Sequence, residues 1–259
     1  MKITPLKTND GSASSASKLL LYGHHGAGKT TQIKNYQRAY GKGLILSGES
    51  GLSSIQDIEA DYIPFSTFSA KPKMGFSFKQ IVEHIQSDDF KDKKYNWIAI
   101  DSVTELSQRC FQDVVAASSR DNITYEEWNE YERLITWALK WIRDLPMHVL
   151  MTALASEEQD DNGVTNYWPS FVQKKIQKNA PALFDHVFCM LRKTSEQNGR
   201  VDVKRYLVTD EVRGWHGKAR DAHRRLQPVE MVDDVTELLD RISMTEKEYA
   251  EYQRKGEAA

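Results

Sequence analysis

Apolar residues along the chain fall into short runs separated by longer amphipathic stretches. The runs "KLLLYG", "GLILSG", "NWIAIDS" and "MHVLMTAL" begin at Lys18, Gly43, Asn96 and Met147. Each is strand-length and apolar on both faces, as a buried parallel strand requires. Between the last two lie "TELSQRCFQDVVAASS" and "YEEWNEYERLITWALKWIRDL", both with a helical period. Leu134, Trp137, Ala138 and Trp141 recur at that spacing and are expected in the core. After Phe184 the rhythm changes. "DHVFCMLRKTSEQNGRVDVKRYLVTD" reads as two strands joined by a turn at Asn198-Gly199.

These patterns predict three regions. Residues 1–17 are polar, small and aperiodic, a flexible tail or docking arm. Residues 18–227 form the core, and the acidic amphipathic residues 228–259 form surface helices. The predicted fold is α/β: a mainly parallel central sheet with crossover helices and a C-terminal antiparallel hairpin.

The two cysteines, Cys110 and Cys189, sit in apolar surroundings. Buried thiols are expected, with a disulfide or metal pair as the alternative. No apolar run approaches the ~20 residues of a membrane span, and none resembles a signal peptide. A soluble, intracellular protein without a membrane partner is expected. The net charge of −2 hides an asymmetry: residues 171–227 carry thirteen Lys and Arg against six Asp and Glu, leaving −9 elsewhere. That leaves room for a basic face aimed at phosphates, or for a merely solvated basic surface.

The chemistry begins in "GHHGAGKTT", which follows the first run and opens a helical stretch. Gly23, Gly28, Lys29 and Thr30 have the spacing of a phosphate-binding loop in its required strand-to-helix context. Its expected ligand is ATP with Mg²⁺, held by Gly23, His24, His25, Gly26, Ala27, Gly28, Lys29, Thr30 and Thr31. Main-chain amides face the phosphates, Lys29 reaches the β- and γ-phosphates, and Thr30 ligates the metal. His24 and His25 occupy variable positions and are expected to be spectators. The alternative is a gain in affinity on protonation beside the phosphates.

Asp101 ends an apolar strand and is the second metal-side residue. Ser102 follows it where many ring-forming ATPases carry a catalytic Glu, so the base must come from elsewhere. Glu49, just past the second run, is the candidate for activating water. Glu105 is the runner-up, and a carboxylate capping the amides of Ser53 or Ser54 is the inert reading of Glu49.

Together "GHHGAGKTT", "GESGL", "WIAIDSVTEL", "PALFDHVFCMLR" and "GWHGKARDAH" resemble the RecA family, more closely the short phage-encoded RecA-like recombinases of the Sak type. The resemblance covers roughly Lys18 to Leu226. It implies a RecA-like P-loop NTPase core with a catalytic carboxylate after the second core strand, where Glu49 lies. It also implies ATP between subunits of a homo-oligomeric filament or ring. Lys218 and Arg220 look like the K-x-R pair that such ATPases insert into a neighbour's site, with Arg213 and Arg225 as weaker candidates. An arginine finger of this kind is worth about 10³–10⁵ in rate.

One departure concerns coupling: relatives end the next core strand in Gln or His, and here Leu154 stands there, with Thr152 as a possible substitute. The following segment would face DNA. Its tip "SEEQDDNG" is acidic, but "NYWPSFVQKKIQK" offers Lys174, Lys175 and Lys178 beside Tyr167, Trp168 and Phe171. Cations on the backbone and aromatic rings on bases suit single-stranded DNA; a helix with a packed Phe171 and solvated lysines is the alternative.

The function expected is an ATP-dependent, single-stranded-DNA-binding recombinase of phage type, promoting strand annealing or exchange in a bacterial host. A single-strand-binding protein is a further expected partner. The alternatives are a ring helicase or loader motor on the same core, and a nucleotide-switched protein-interaction module without DNA.

Overall fold

Alternation along each strand decides which side of the sheet an apolar residue serves. In the computed structural model, which describes residues 16–49, 51–118, 122–197 and 200–257, twelve strands follow this rule. They are β1 (Lys18–Gly23), β2 (Gly43–Ser47), β3 (Asp61–Thr67), β4 (Phe76–Ser77), β5 (Trp97–Asp101) and β6 (His148–Gln159). The remainder are β7 (Thr165–Pro169), β8 (His186–Gln197), β9 (Arg200–Val208), β10 (Glu211–Val212), β11 (Trp215–His216) and β12 (Val229–Glu230). The helices are α1 (Gln32–Tyr40), α2 (Phe78–Ile85), α3 (Asp88–Asp92), α4 (Val103–Ala117), α5 (Tyr125–Arg143), α6 (Lys174–Asn179), α7 (Val235–Ser243) and α8 (Glu246–Glu257).

The main sheet has the order β12-β9-β8-β1-β6-β5-β2-β3-β4. Pairing is parallel from β8 through β4 and antiparallel across β8–β9 and β9–β12. Beyond the sheet, β6 continues into an antiparallel ribbon with β7, and β11 bridges to β7. The four apolar runs are thus β1, β2, β5 and β6, and the expected mixed α/β architecture is present. The expected hairpin is β8–β9, closing where Gln197 pairs with Arg200. Its turn residues Asn198-Gly199, like the N-terminal arm up to residue 15, lie outside the described residues.

Leu19 and Leu21 of β1 face one side of the sheet and pack with Ile33 and Tyr36 of α1 and Val235 and Leu238 of α7. Leu20 and Tyr22 face the other side, covered by α2, α4 and α5. On α5 the buried stripe is Tyr131, Leu134, Ile135, Ala138, Leu139 and Ile142. Trp137 departs from the expectation of a core position: it flanks this stripe, 39% exposed, with its ring edge against Phe68. Cys110 and Cys189 are free and buried, and burial raises both thiol pKa values.

The acidic C-terminal stretch is attached to the core at several points. β12 extends the sheet beside β9, and α7 lies against α1. Arg225 is buried and donates to the carbonyls of Arg241 and Ile242 at 3.2 Å each, and to that of Met244. A cation at the open carbonyls of a helix end stabilises it. Arg225 therefore holds α7 and is withdrawn as an arginine-finger candidate.

Candidate active site

Because β1, β2, β5 and β6 run parallel, the segments that follow them emerge at one edge of the sheet. That edge gathers Lys29, Glu49, Asp101, Ser102 and Thr152 around a cavity of about 320 Å³. Two glycines of the phosphate loop are sterically required. A Cβ on Gly23 would stand 2.3 Å from the Met190 carbonyl oxygen, and Gly28 has φ of +107°, a conformation few L-residues adopt.

Lys29 is 9% exposed, and its ammonium donates to the carbonyls of Gly23 and His24 at 2.9 Å each. Burial lowers its pKa, while Asp101 and Glu49 oppose that shift by attraction. Thr30 Oγ1 donates to both oxygens of Asp101, at 3.3 and 3.1 Å. Thr152, fully buried on β6 between β1 and β5, donates to Asp101 Oδ1 at 2.5 Å. Burial raises the Asp101 pKa; the two threonine hydroxyls and Lys29 pull it down, and Glu49 pushes it up. Thr30 and Asp101 thus form a compact pair of oxygen ligands suited to a hard divalent ion such as Mg²⁺.

Glu49 lies across the cavity. Its Oε1 accepts a hydrogen bond from Ser102 Oγ at 2.5 Å, and Ser47 Oγ donates to its main-chain oxygen at 2.6 Å. Ser102 also caps α4 by accepting from the Glu105 amide at 3.3 Å. The Asp101–Ser102 peptide is cis. Glu105, the runner-up base, is engaged by Arg109 at 2.6 Å and is absent from the cavity wall. Leu154, His25 and Ser54 also line that wall.

Arg205 of β9 was not foreseen. Its Nε donates to the Ala27 carbonyl at 3.1 Å, its Nη1 lies 3.5 Å from Asp233 Oδ1, and its side chain lines the phosphate cavity. It follows no local motif, and only the register of β9 brings it to the loop.

His24 turns away from the cavity. Its ring meets Tyr167 and Trp215 edge-on at 5.8 and 5.4 Å, and those two rings stack on each other at 4.1 Å. The phosphate loop is thereby packed against the β6–β7 ribbon.

Lys218 and Arg220 lie at the opposite edge of the sheet. Lys218 pairs its backbone with Val187 near the start of β8, and its ammonium donates to the Phe184 carbonyl at 2.8 Å. Arg220 bridges Asp185 at 2.8 Å. Neither reaches this chain's own phosphate loop.

One member of the expected DNA-facing set, Phe171, is corrected. Phe171 is buried in the core at 7% exposure, so its ring cannot stack on a base. Lys174 and Lys178 each lie 3.2 Å from Glu158, and Lys175 lies 2.6 Å from Glu132. Tyr167 and Trp168 stack on Trp215 and His216. The aromatic rings of this segment, on β7 and before α6, are thus committed to packing, while the lysines of α6 stay at the surface in exposed ion pairs.

Among the described residues no helix is long and apolar enough to cross a membrane. A comparison with curated protein sequences gave no match. Among solved structures, the chain is similar to the flagellar accessory protein FlaH of Methanocaldococcus jannaschii: 9% identity over 82% of this chain and 83% of that chain, TM-score 0.39. It is similar to a KaiC-like protein of Pyrococcus horikoshii at 12% identity over 83% and 89% of the two chains, TM-score 0.45. A type III secretion ATPase of pathogenic bacteria shares 16% identity over 68% and 51%, TM-score 0.38. A protein-family model described as an AAA domain, AAA_24, matches residues 15–220. With its phosphate loop, its Asp101 strand and the intervening β6, the chain is a P-loop ATPase and belongs to the AAA_24 family.

Proposed function

We propose that the chain is an ATP- and Mg²⁺-dependent, single-stranded-DNA-binding recombinase of phage type, hydrolysing ATP at contacts between identical subunits. The observation that carries the catalytic part is Glu49 across one cavity from Lys29, Thr30 and Asp101. In this reading Lys29 and the loop amides hold the phosphates, and Thr30 and Asp101 hold the metal. Glu49 takes the proton from the attacking water. Mg²⁺ held by Thr30 and Asp101 would supply neutralisation of charge on the phosphates.

The opposite-edge positions of Lys218 and Arg220 support a head-to-tail assembly. A subunit stacked that way offers the pair to its neighbour's nucleotide, after exchange of the Asp185 and carbonyl contacts. The packing of Tyr167, Trp168 and Phe171 within the fold favours a second reading, a nucleotide-switched protein-interaction module without DNA.

ATP hydrolysis measured with and without single-stranded DNA separates the two. Stimulation by DNA supports the recombinase. A rate indifferent to DNA, with no salt-sensitive DNA binding, supports the switch.

A further inference from the structure

Behind the phosphate loop lies a larger cavity, of about 790 Å³, between His24, His25 and Ala27 on one side and the middle of β8 with the C-terminal end of β9 on the other. Val208 and Val212 contribute apolar surface and Tyr206 an aromatic ring. Arg192, Lys193 and Arg213 stand at its margin, all exposed. Among the described residues none of the three has an ion-pair partner, whereas the nearby Lys204 and Arg205 face Asp202 and Asp233.

Two features of these cations have no local structural reason. Arg192 is paired directly with Arg205 across the hairpin, and Lys193 with Lys204; like charges directly opposite each other destabilise a sheet. Arg213 and Gly214 turn β10 into β11 with φ of +49° and +79°. A turn with both central residues at positive φ favours Asn, Asp or Gly at the first, and here it carries a long cation. Such a strained position is a pointer to a functional role.

We propose that this cavity is the nucleic-acid site: a single-stranded segment sets a base against Tyr206 and its phosphates on Lys193, which shares that face of the hairpin, and on Arg213, with Arg192 on the other face as a further phosphate contact where the strand leaves the cavity. The inference rests on the recombinase reading above and relocates its DNA contact from α6 to the β8–β9 wall. A flat apolar ring with cations at the edge of a cavity of this size fits a base with its phosphate. A polymer is favoured over a free nucleotide because the cations are exposed at the margin and the phosphate loop has its own cavity. The two cavities share His25, so an occupied strand site touches the loop that holds ATP. That contact offers a coupling route where Leu154 stands in place of a polar sensor.

The test is binding of a labelled oligothymidylate to the full chain, alongside ATP binding, as salt is varied. The Arg192→Glu/Lys193→Glu variant is expected to weaken oligothymidylate binding at least tenfold and to flatten the logarithmic salt slope by about 0.7 per lost contact. ATP binding should stay unchanged, the melting temperature should hold or rise because each glutamate then faces a cation across the hairpin, and DNA binding by a Lys247→Glu control on α8 should match the parent's. Tyr206→Ala should weaken binding roughly tenfold with the salt slope intact. Parent-like DNA binding by the double variant overturns this site and leaves the recombinase reading standing. Absence of oligothymidylate binding by the parent overturns both. Loss of ATP binding in the double variant overturns the proposal by assigning the cavity to the ATP base.

Discussion

Ser102 Oγ donates a 2.5 Å hydrogen bond to Glu49 Oε1. The residue after Asp101 therefore orients a carboxylate from the loop that follows β2. A hydrogen bond to a charged group contributes about 1.5–3 kcal/mol, equivalent to about ten- to hundredfold in rate. Ser102→Ala should lower kcat within that range while nucleotide affinity holds. It should also cost about 1 kcal/mol of stability through the lost α4 cap. Steady-state kinetics and urea unfolding check the two effects separately.

Thr152 and Thr30 share the carboxylate of Asp101. Thr152→Val keeps the shape and removes one donor to a buried acid, so stability should fall by about 1–3 kcal/mol. With less stabilisation of its anion, Asp101 should titrate higher still, and the Mg²⁺ dependence of nucleotide binding should shift to higher metal concentration. Titration of nucleotide affinity against Mg²⁺ reads this directly.

Burial pushes the His186 imidazole down to about 4, with Asp185 partly opposing. Its folded pKa lies below the ordinary value near 6.5, so the unfolded chain takes up the proton first as pH falls. Stability from this group is complete above about pH 6.5 and is lost towards pH 4, at up to about 1.4 kcal/mol per pH unit. His148 is lowered by burial as well and adds in the same direction. Melting curves between pH 7.5 and 5 should fall less steeply for His186→Phe than for the parent; equal slopes would count against this assignment.

His24 was expected to be a spectator and is a packing residue. Its edge-on contacts with the Tyr167–Trp215 stack predict that His24→Ala costs about 1 kcal/mol of stability. The variant should also loosen protection of the β6–β7 ribbon in hydrogen exchange, with ATP affinity little changed.

If Lys218 and Arg220 act on a neighbour, Lys218→Ala/Arg220→Ala and Glu49→Gln damage different halves of one composite site. Each should be inactive alone, and mixing them should restore part of the rate. Mixtures that stay inactive would speak against fingers acting across a subunit contact.

The phosphate loop, Asp101 and Glu49 were legible in the sequence because each follows an apolar run whose parallel packing fixes where its end lies. β3 was not: "DYIPFST" buries only Phe65 and carries Pro64, so it lacks the continuous apolar character of the other parallel strands. Arg205 was hidden because its neighbour Ala27 is 178 residues away and only strand register joins them. Phe171 misled for a different reason. An aromatic residue beside lysines reads alike whether it packs inward or meets a base, and only the fold distinguishes the two. Arg225 was likewise one cation among many until α7 closed over it.

The central claim is that Glu49 is the base of a DNA-coupled ATPase. The most direct measurement is the rate of ATP hydrolysis with and without single-stranded DNA, for the parent and for Glu49→Gln. The account predicts strong stimulation by DNA in the parent and a fall of about 10²–10⁴ in the variant with ATP still bound. A variant as active as the parent would contradict it and return attention to Glu105.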